Sequence, residues 1–572
     1  MVFPTVETAF AILNALDPSS ATGPDELPSR ILQMCAAELA WPITILVMRI
    51  FAHGIWPDQW REHWIIPLHK RLAVFKPNNY RGVHLTAQLA KVIERLIKTM
   101  MEPHLEKTHA LGDNQFAYRK ERGSRDMILM LMLEWLITLD KRGKICVYNS
   151  DVAGAFDRVN SELLILKLQS HGIHPRMIEV IRSWLQRRRA TVFFGGERSS
   201  KFSIENQVFQ GTVKSPILWD EFFEDVNVPI QKAGFKDVEF AADLNAYRSY
   251  DGSASNRTIT KHAVNCQTEV HRCGRANQVV FEPTKESMTI ISNHEPEGPE
   301  FKLMGVVFDL TLNMKRAAND LANAFRWKLT KLLRAKQYLD TPSAVIQFKS
   351  RILSYVEHRT AAIYHSDSTV LDPVDKQYDR FLSELGLTRK DALFSFSLAP
   401  LNSRRDMAML GVIHRSVFKK GPEQIHEFFE LEPNSTHPTG RSSLRRHDKQ
   451  LKTYRRGKFL ETTAKSILGL IDIYNMLPQE LVDIENVRAF QSKLQAILKK
   501  YAATDAPNWE TLFSPRHALH LHPLVKVLNA VVTINVTDEC LEDMNGMPEQ
   551  SNPGDAPIAT RDLPPSWWGR MR

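Results

Sequence analysis

Three short segments of this sequence carry residue types that can do chemistry together. Asp151-Val152-Ala153-Gly154-Ala155-Phe156-Asp157 follows the short apolar run that starts at Lys144, and Phe240-Ala241-Ala242-Asp243 closes a second run that starts at Val238. Between them, Gln210-Gly211-Thr212-Val213-Lys214-Ser215-Pro216 reads as a glycine-centred turn leading into a helix. Carboxylates at neighbouring strand ends can hold two Mg²⁺ ions about 3.5–4 Å apart, which activate a hydroxyl and stabilise a leaving oxygen in nucleotidyl transfer. Mg²⁺ takes oxygen ligands and commonly only one or two protein carboxylates. Singly, the pieces say little. Either aspartate reads more readily as a solvated loop residue or a helix N-cap, and Gln210-Gly211 as a plain turn. The ordered set is far more specific.

The surrounding pattern supplies elements to position these groups. Apolar spacing predicts a helix in the first twenty residues, a second from Pro28 to about His53, and amphipathic helices over 86–102 and 124–142. Gly54-Ile55-Trp56-Pro57 breaks the second helix, and Trp64–His69 has strand composition. Further helices are expected over 160–171 and 175–187, and strands near 190–195 and 201–209. From 310 to 425 the pattern is helical and basic. A basic linker spans Gly440–Lys458, and Asp543–Arg572, rich in Pro, Asp and Gly, reads as disordered.

Composition narrows the function class. The 572 residues imply roughly three to four domains or subdomains at about 150 residues each. Lysine and arginine number 74 against 65 acids, a net charge of +9 that favours a polyanionic partner. Five scattered cysteines suit neither a disulfide scaffold nor a zinc site, so the chain reads as reduced and intracellular, in nucleus or cytoplasm. No signal peptide and no spanning run of about 18 apolar residues is evident, which argues against a membrane partner.

With these segments in order, the chain resembles the reverse transcriptases of non-LTR (LINE-type, jockey-like) retrotransposons over roughly residues 10 to 495. Ala21-Thr22-Gly23-Pro24-Asp25 is similar to the family's entry segment, Asn79-Tyr80-Arg81 to its fingers motif, and Asn114–Lys120 to the segment that follows. Asp151–Asp157 resembles the first catalytic motif, Val208–Val213 the template grip, and Phe240–Asp243 the "FADD" motif. Phe281-Glu282-Pro283-Thr284-Lys285 resembles the later lysine motif, and Lys302–Val306 the primer grip.

The resemblance implies an α+β right-hand polymerase with an antiparallel palm sheet and a helical thumb. Its expected bounds are 1–143 (N-terminal extension and fingers), 144–300 (palm), 301–430 (primer grip and thumb), 431–542 (basic linker and C-terminal helical region) and 543–572 (tail). It also implies RNA-directed DNA polymerase activity with RNA template, DNA primer, dNTPs and Mg²⁺. Asp151 and Asp243 become the metal-binding carboxylates, and Lys285 a general acid for pyrophosphate. Phe156 would exclude a ribose 2′-hydroxyl, Lys70 and Arg81 would meet the triphosphate, and Gln210 and Gly211 would sit under the templating base. Neither an endonuclease domain nor a zinc knuckle is expected within this chain.

One departure matters most. Where the family has two aspartates after Phe240-Ala241, this chain has Ala242-Asp243, and the missing one is the family's second metal ligand. Glu239 is the nearest sequence alternative, its direction open. Gly82, Phe209 and Lys214 also depart from the pattern, and Lys214 replaces a normally apolar residue with a side chain that can still snorkel along the helix. The expectation is therefore a polymerase impaired at Ala242. The alternative is a catalytically dead remnant that only binds nucleic acid.

Three basic clusters stand out: Arg187–Arg189; Arg326, Lys328, Lys331 and Arg334 with Trp327; and Arg441 to Lys458. Charge runs are commonly solvated faces. The second cluster falls at the expected thumb, where it would contact phosphates of a primer–template hybrid.

Overall fold

The computed structural model describes residues 3–70, 73–432, 447–454 and 461–525. It is an α+β fold. The first third is helical around one sheet edge: α1 (Val6–Asn14), α2 (Ser29–Met34) and α3 (Ala36–His53) lead to β1 (Glu62–His69) and β2 (Tyr80–Leu85). α4 (Gln88–Lys107) and α5 (Ser124–Asp140) then precede β3 (Lys144–Asp151). The helix expected from Pro28 to His53 is thus broken at Cys35, which leaves helical geometry between α2 and α3.

After β3 come α6 (Ser161–Ser170), α7 (Pro175–Leu185), β4 (Arg188–Phe194), β5 (Glu197–Arg198) and β6 (Phe202–Ile204). The strand expected over 201–209 is only those three residues, because the chain then turns into the Gln210 loop. α8 (Ser215–Phe223), α9 (Asn227–Lys232), β7 (Lys236–Phe240), β8 (Asp243–Tyr250), α10 (Asn256–Ala276) and β9 (Ser287–Ile291) follow.

Two sheets organise these elements. One has the order β2-β1-β4-β5, with β6 also on β4 and β1 parallel to β4. The other is antiparallel throughout, in the order β7-β8-β3-β9. β3 is one of its two inner strands, buried along almost its whole length, so Ile145 and Val147 face one apolar core while Cys146 and Tyr148 face another. That alternation is the period-2 signature of a strand covered on both faces.

A hairpin of β10 (Phe301–Leu303) and β11 (Val306–Phe308) leads to α11 (Lys315–Arg334). α11 buries Ala318, Leu321, Phe325 and Leu329 against the helix Ser368–Glu384. The remaining described chain is helical, including Leu401–Val417 and Val487–Ala503, which pack together through a stacked His414–Phe490 pair. The tail expected to be disordered lies outside the described residues, as does most of the basic linker.

One sequence expectation needs correction. α3 is long and apolar enough, by length and composition, to cross a bilayer. Its inner face is nevertheless packed in protein against α1, α4 and α7.

Candidate active site

The site is assembled where β3 ends and β8 begins. Antiparallel pairing sets Asp151 directly opposite Asp243. The two carboxyls are hydrogen-bonded, and burial followed by the Asp151 charge raises the Asp243 carboxyl to about 7. Two carboxylates this close cannot both be comfortably ionised, so Asp243 is the one that holds the proton. Lys285 extends its ammonium onto Asp151 Oδ2. It is held there by a short turn: the Glu282 N–H donates to the Asp151 carbonyl (2.9 Å), and the Lys285 N–H donates to the Glu282 carbonyl (2.9 Å). Two acidic groups, a shared proton and a lysine converge at one strand end.

The link between β7 and β8 is a two-residue turn, Ala241-Ala242, closing the Phe240–Asp243 pair. Such hairpins need positive φ at the turn, and Ala241 adopts φ +56° without being glycine. That conformation costs an alanine on the order of 1 kcal/mol. Its surroundings hold it in place. The Ala241 N–H donates to Gln115 Oε1 (2.9 Å), while Gln115 Nε2 (3.4 Å) and Trp219 Nε1 (3.0 Å) both donate to the Ala241 carbonyl. Gln115 is itself clamped by backbone bonds from Phe116 N–H to Glu239 O and from Glu239 N–H to Asn114 O, both 3.0 Å. Sequence reasoning missed this role for Gln115 and Trp219. Their only sequence signal was membership of the Asn114–Lys120 segment and of the helix after the Gln210 turn.

Ala242 contributes its backbone carbonyl, which accepts from the Val152 N–H (3.1 Å), and its methyl packs on the core. Glu239 is not a replacement ligand. It is buried, faces Gln115 Nε2 (3.4 Å), and lies among Asp237, Asp220 and Glu224. Burial, reinforced by those charges, raises its carboxyl well above the usual range.

The other expected site residues gather around Asp157. Gln210 Nε2 donates to Asp157 Oδ1 (3.3 Å), and the cations of Lys70 and Arg81 oppose the burial that raises the Asp157 carboxyl. Lys70 and Arg81 are both exposed: Arg81 lies on β2 opposite Leu68, and the Lys70 N–H donates to Asn79 O (2.8 Å). Phe156, in the short turn after Gly154, stacks on Trp219 (5.7 Å, 19°) and meets Tyr118 edge-on (6.2 Å).

Gly211 has φ +108°, and a Cβ there would sit 2.7 Å from the His84 carbonyl. Its glycine is therefore demanded by the close approach of β2, to which Gln210 O is tied by the His84 N–H (2.7 Å).

Beneath this turn two charges expected at the surface are buried. Lys214 does not snorkel. Its ammonium lies 4.5 Å from the rings of both Trp56 and Trp184, with no hydrogen-bond partner, and burial lowers its pKa to about 7. Arg188 is 1% exposed, donating to Trp184 O, Trp60 O (2.8 Å) and His63 Nε2 (2.9 Å), so the middle of the Arg187–Arg189 run belongs to the core. Alternation along β4 turns that side chain inward while Arg187 and Arg189 stay exposed.

α11 presents the other expected contacts. Arg326, Lys331 and Arg334 are exposed, Trp327 is 60% exposed with the Lys331 ammonium over its ring (3.5 Å), and Lys328 lies over Tyr355 (4.6 Å). Of the third cluster, Lys449 pairs with Asp483 and Lys452 with Glu430, while Arg441, Arg445, Arg446, Arg455, Arg456 and Lys458 lie outside the described residues.

Residues 69–308, which hold the carboxylate pair, Lys285 and the Gln210 turn, match the family described as Reverse transcriptase (RNA-dependent DNA polymerase). Relatives by sequence are all of one kind. The RNA-directed DNA polymerase from mobile element jockey of Drosophila funebris is 25% identical over 60% of this chain and 40% of its own length. The probable RNA-directed DNA polymerase from transposon X-element of Drosophila melanogaster is 24% identical over 58% and 38%.

Residues 69–308 are a reverse transcriptase domain of the jockey-like, non-LTR kind. The chain spans about two fifths of the length of the curated relatives it matches. Among solved structures, apo telomerase from Candida tropicalis overlaps 61% of this chain and 67% of its own at 12% identity and a TM-score of 0.34. Telomerase from Candida albicans with a fragment of telomeric RNA gives 63%, 64%, 12% and 0.33. Superpositions that loose add nothing to the assignment.

Proposed function

We propose that this reverse transcriptase domain is an RNA-directed DNA polymerase built for two-metal nucleotidyl transfer and impaired by alanine at position 242. The observation that carries the reading is the Asp151–Asp243 pair, set face to face beside a turn whose residue 242 is an alanine without a carboxylate. In this reading residues 1–143 include the fingers, 144–300 the palm, 301–430 the primer grip and thumb, and 431–542 a basic linker and helical region. Template RNA, a DNA primer and dNTPs are the substrates, met in nucleus or cytoplasm.

The donor set suits a hard cation, since both groups offer carboxylate oxygen and their shared proton and the Lys285 ammonium stand where positive charge is needed. Asp151 and Asp243 would hold Mg²⁺, which when bound activates the primer 3′-hydroxyl and neutralises charge on the leaving oxygen. Asp243 must first give up its proton. Lys285, released from Asp151, donates a proton to departing pyrophosphate. Lys70 and Arg81 neutralise the triphosphate from the β1–β2 side, in a step governed by positioning and electrostatics. Phe156, braced by Trp219, bars a 2′-hydroxyl. A methyl at 242 would deprive a second cation of the carboxylate that an aspartate there would supply. Loss of an outer partner alone costs about 10–100-fold, and a direct ligand more.

Primer extension on an RNA template with Mg²⁺ and dNTPs tests this, comparing the parent chain, Ala242→Asp, and Ala242→Asp with Asp151→Ala. Extension by Ala242→Asp alone supports the reading. Equal extension by the parent removes the role given to position 242. A second reading, a nucleic-acid binder without catalysis, is favoured by the exposed Arg326–Trp327–Lys331–Arg334 surface. It predicts salt-sensitive binding of an RNA–DNA hybrid with no extension by any of the three.

A further inference from the structure

α3 is apolar on both sides. Its inner side, through Ala40, Ile43, Val47 and Ile50, packs on α1, α4 and α7. Its outer side carries Trp41, 63% exposed, and Met48, 41% exposed, with half-buried Ile45 between them and exposed Ala52 beyond. Together with exposed Glu38, these positions recur at alternating spacings of three and four residues, and Met34 and Ile55 extend the apolar surface past either end. A soluble helix normally shows polar residues on its outer face, whereas 3–4 spacing of apolar residues is the seam of paired helices.

We propose that this stripe pairs with the same stripe of a second copy, the two α3 helices antiparallel about a two-fold axis level with residue 43. Two features select a second copy over other occupants. The first is register. About that axis Trp41 meets the partner's Ile45, and Glu38 meets the partner's Met48, so each seam position finds another seam position, as an isologous contact requires. The second is charge. Glu38 near one end and Arg49 near the other are exposed, and neither is in an ion pair among the described residues. Antiparallel pairing brings each Glu38 beside the partner's Arg49, twice per dimer, whereas parallel pairing sets like charges side by side. Trp41 near the centre of the contact is the residue type that anchors such interfaces.

Sedimentation equilibrium of the 572-residue chain across the micromolar range reads the association. The expected result is a monomer–dimer equilibrium that Trp41→Lys weakens by at least about thirtyfold. Glu38→Arg and Arg49→Glu should each weaken it, and the double reversal should recover parental association. Thermal melts matching the parent establish that each variant is folded. A monomer at every concentration overturns the proposal. So does a dimer indifferent to Trp41→Lys, or a double reversal no better than the single ones. A monomer that instead binds phosphatidylglycerol vesicles through Trp41 also counts against it and assigns the stripe to a bilayer surface.

Discussion

Positions 242 and 214 depart from the family pattern in opposite directions. At 242 the chain has alanine where the proposed mechanism calls for a carboxylate, yet the turn is held by Gln115 and Trp219, and Asp151, Asp243 and Lys285 balance one another. At 214 a charge is added to a place built for apolar contact, and its ammonium has two indole faces and no hydrogen bond. In the proposed mechanism the first change is cheap for folding and costly for chemistry. The second, an unpartnered ammonium buried against two tryptophans, is costly for folding. The proposed loss of a catalytic ligand and the burial of an unpartnered charge are thus separable by whether they alter activity or stability.

That separation can be broken by experiment. The largest effect expected is on activity: Ala242→Asp should raise RNA-templated primer extension at least about a hundredfold, with little change in the denaturation midpoint. If stability falls sharply as well, position 242 is not as neutral to the fold as its surroundings imply.

Lys214→Leu should do the reverse. Replacing a buried, unpartnered ammonium by an apolar side chain is expected to stabilise by about 1–4 kcal/mol in urea titrations near neutral pH, without altering extension. The pH dependence gives a sharper signature. Folded Lys214 releases its proton near 7 while the unfolded chain keeps it to about 10.5, so unfolding takes up a proton and stability rises with pH across that window. Lys214→Leu should flatten that rise.

Asp243 should show the opposite slope. Its folded carboxyl is raised from 3.8 to about 7, so the folded state binds the extra proton and stability falls as pH climbs through that interval. Asp243→Asn should remove this fall. An unchanged pH profile in the variant would mean that the pair does not share a proton.

The smallest effects concern the turn itself. Gln115→Ala should cost about 1–2 kcal/mol through the Ala241 backbone bonds it supplied, and should lower kcat in an Ala242→Asp background. Ala241→Gly should stabilise by up to about 1 kcal/mol by relieving positive φ. A destabilised Ala241→Gly would show that the alanine conformation is not strained.

Much of the site was legible because its parts lie in contiguous motifs. Asp151 and Asp243 were marked by apolar runs ending in acids, and the antiparallel sheet pairs them in register. α4, α5 and β3 fall close to where periodicity put them, since strong apolar spacing decides burial locally. The misreadings share one cause. Arg188 and Lys214 were judged by residue type, and residue type says nothing about which side of an element meets another. The break at Cys35 and the short β6 had no strong local signal, lacking glycine or proline at the boundary.

By itself the sequence determined the order of the motifs, the absence of a carboxylate at 242 and the domain's membership among jockey-like reverse transcriptases, because these are properties of residue identity and spacing. Only the tertiary structure decided that Glu239 faces an acidic interior, that Gln115 holds the Ala241-Ala242 turn and that Lys285 rests on Asp151. It alone buried Lys214 between two tryptophans. Each of these depends on through-space neighbours supplied by distant segments, and burial and pairing across such distances are what set a side chain's charge, direction and strain.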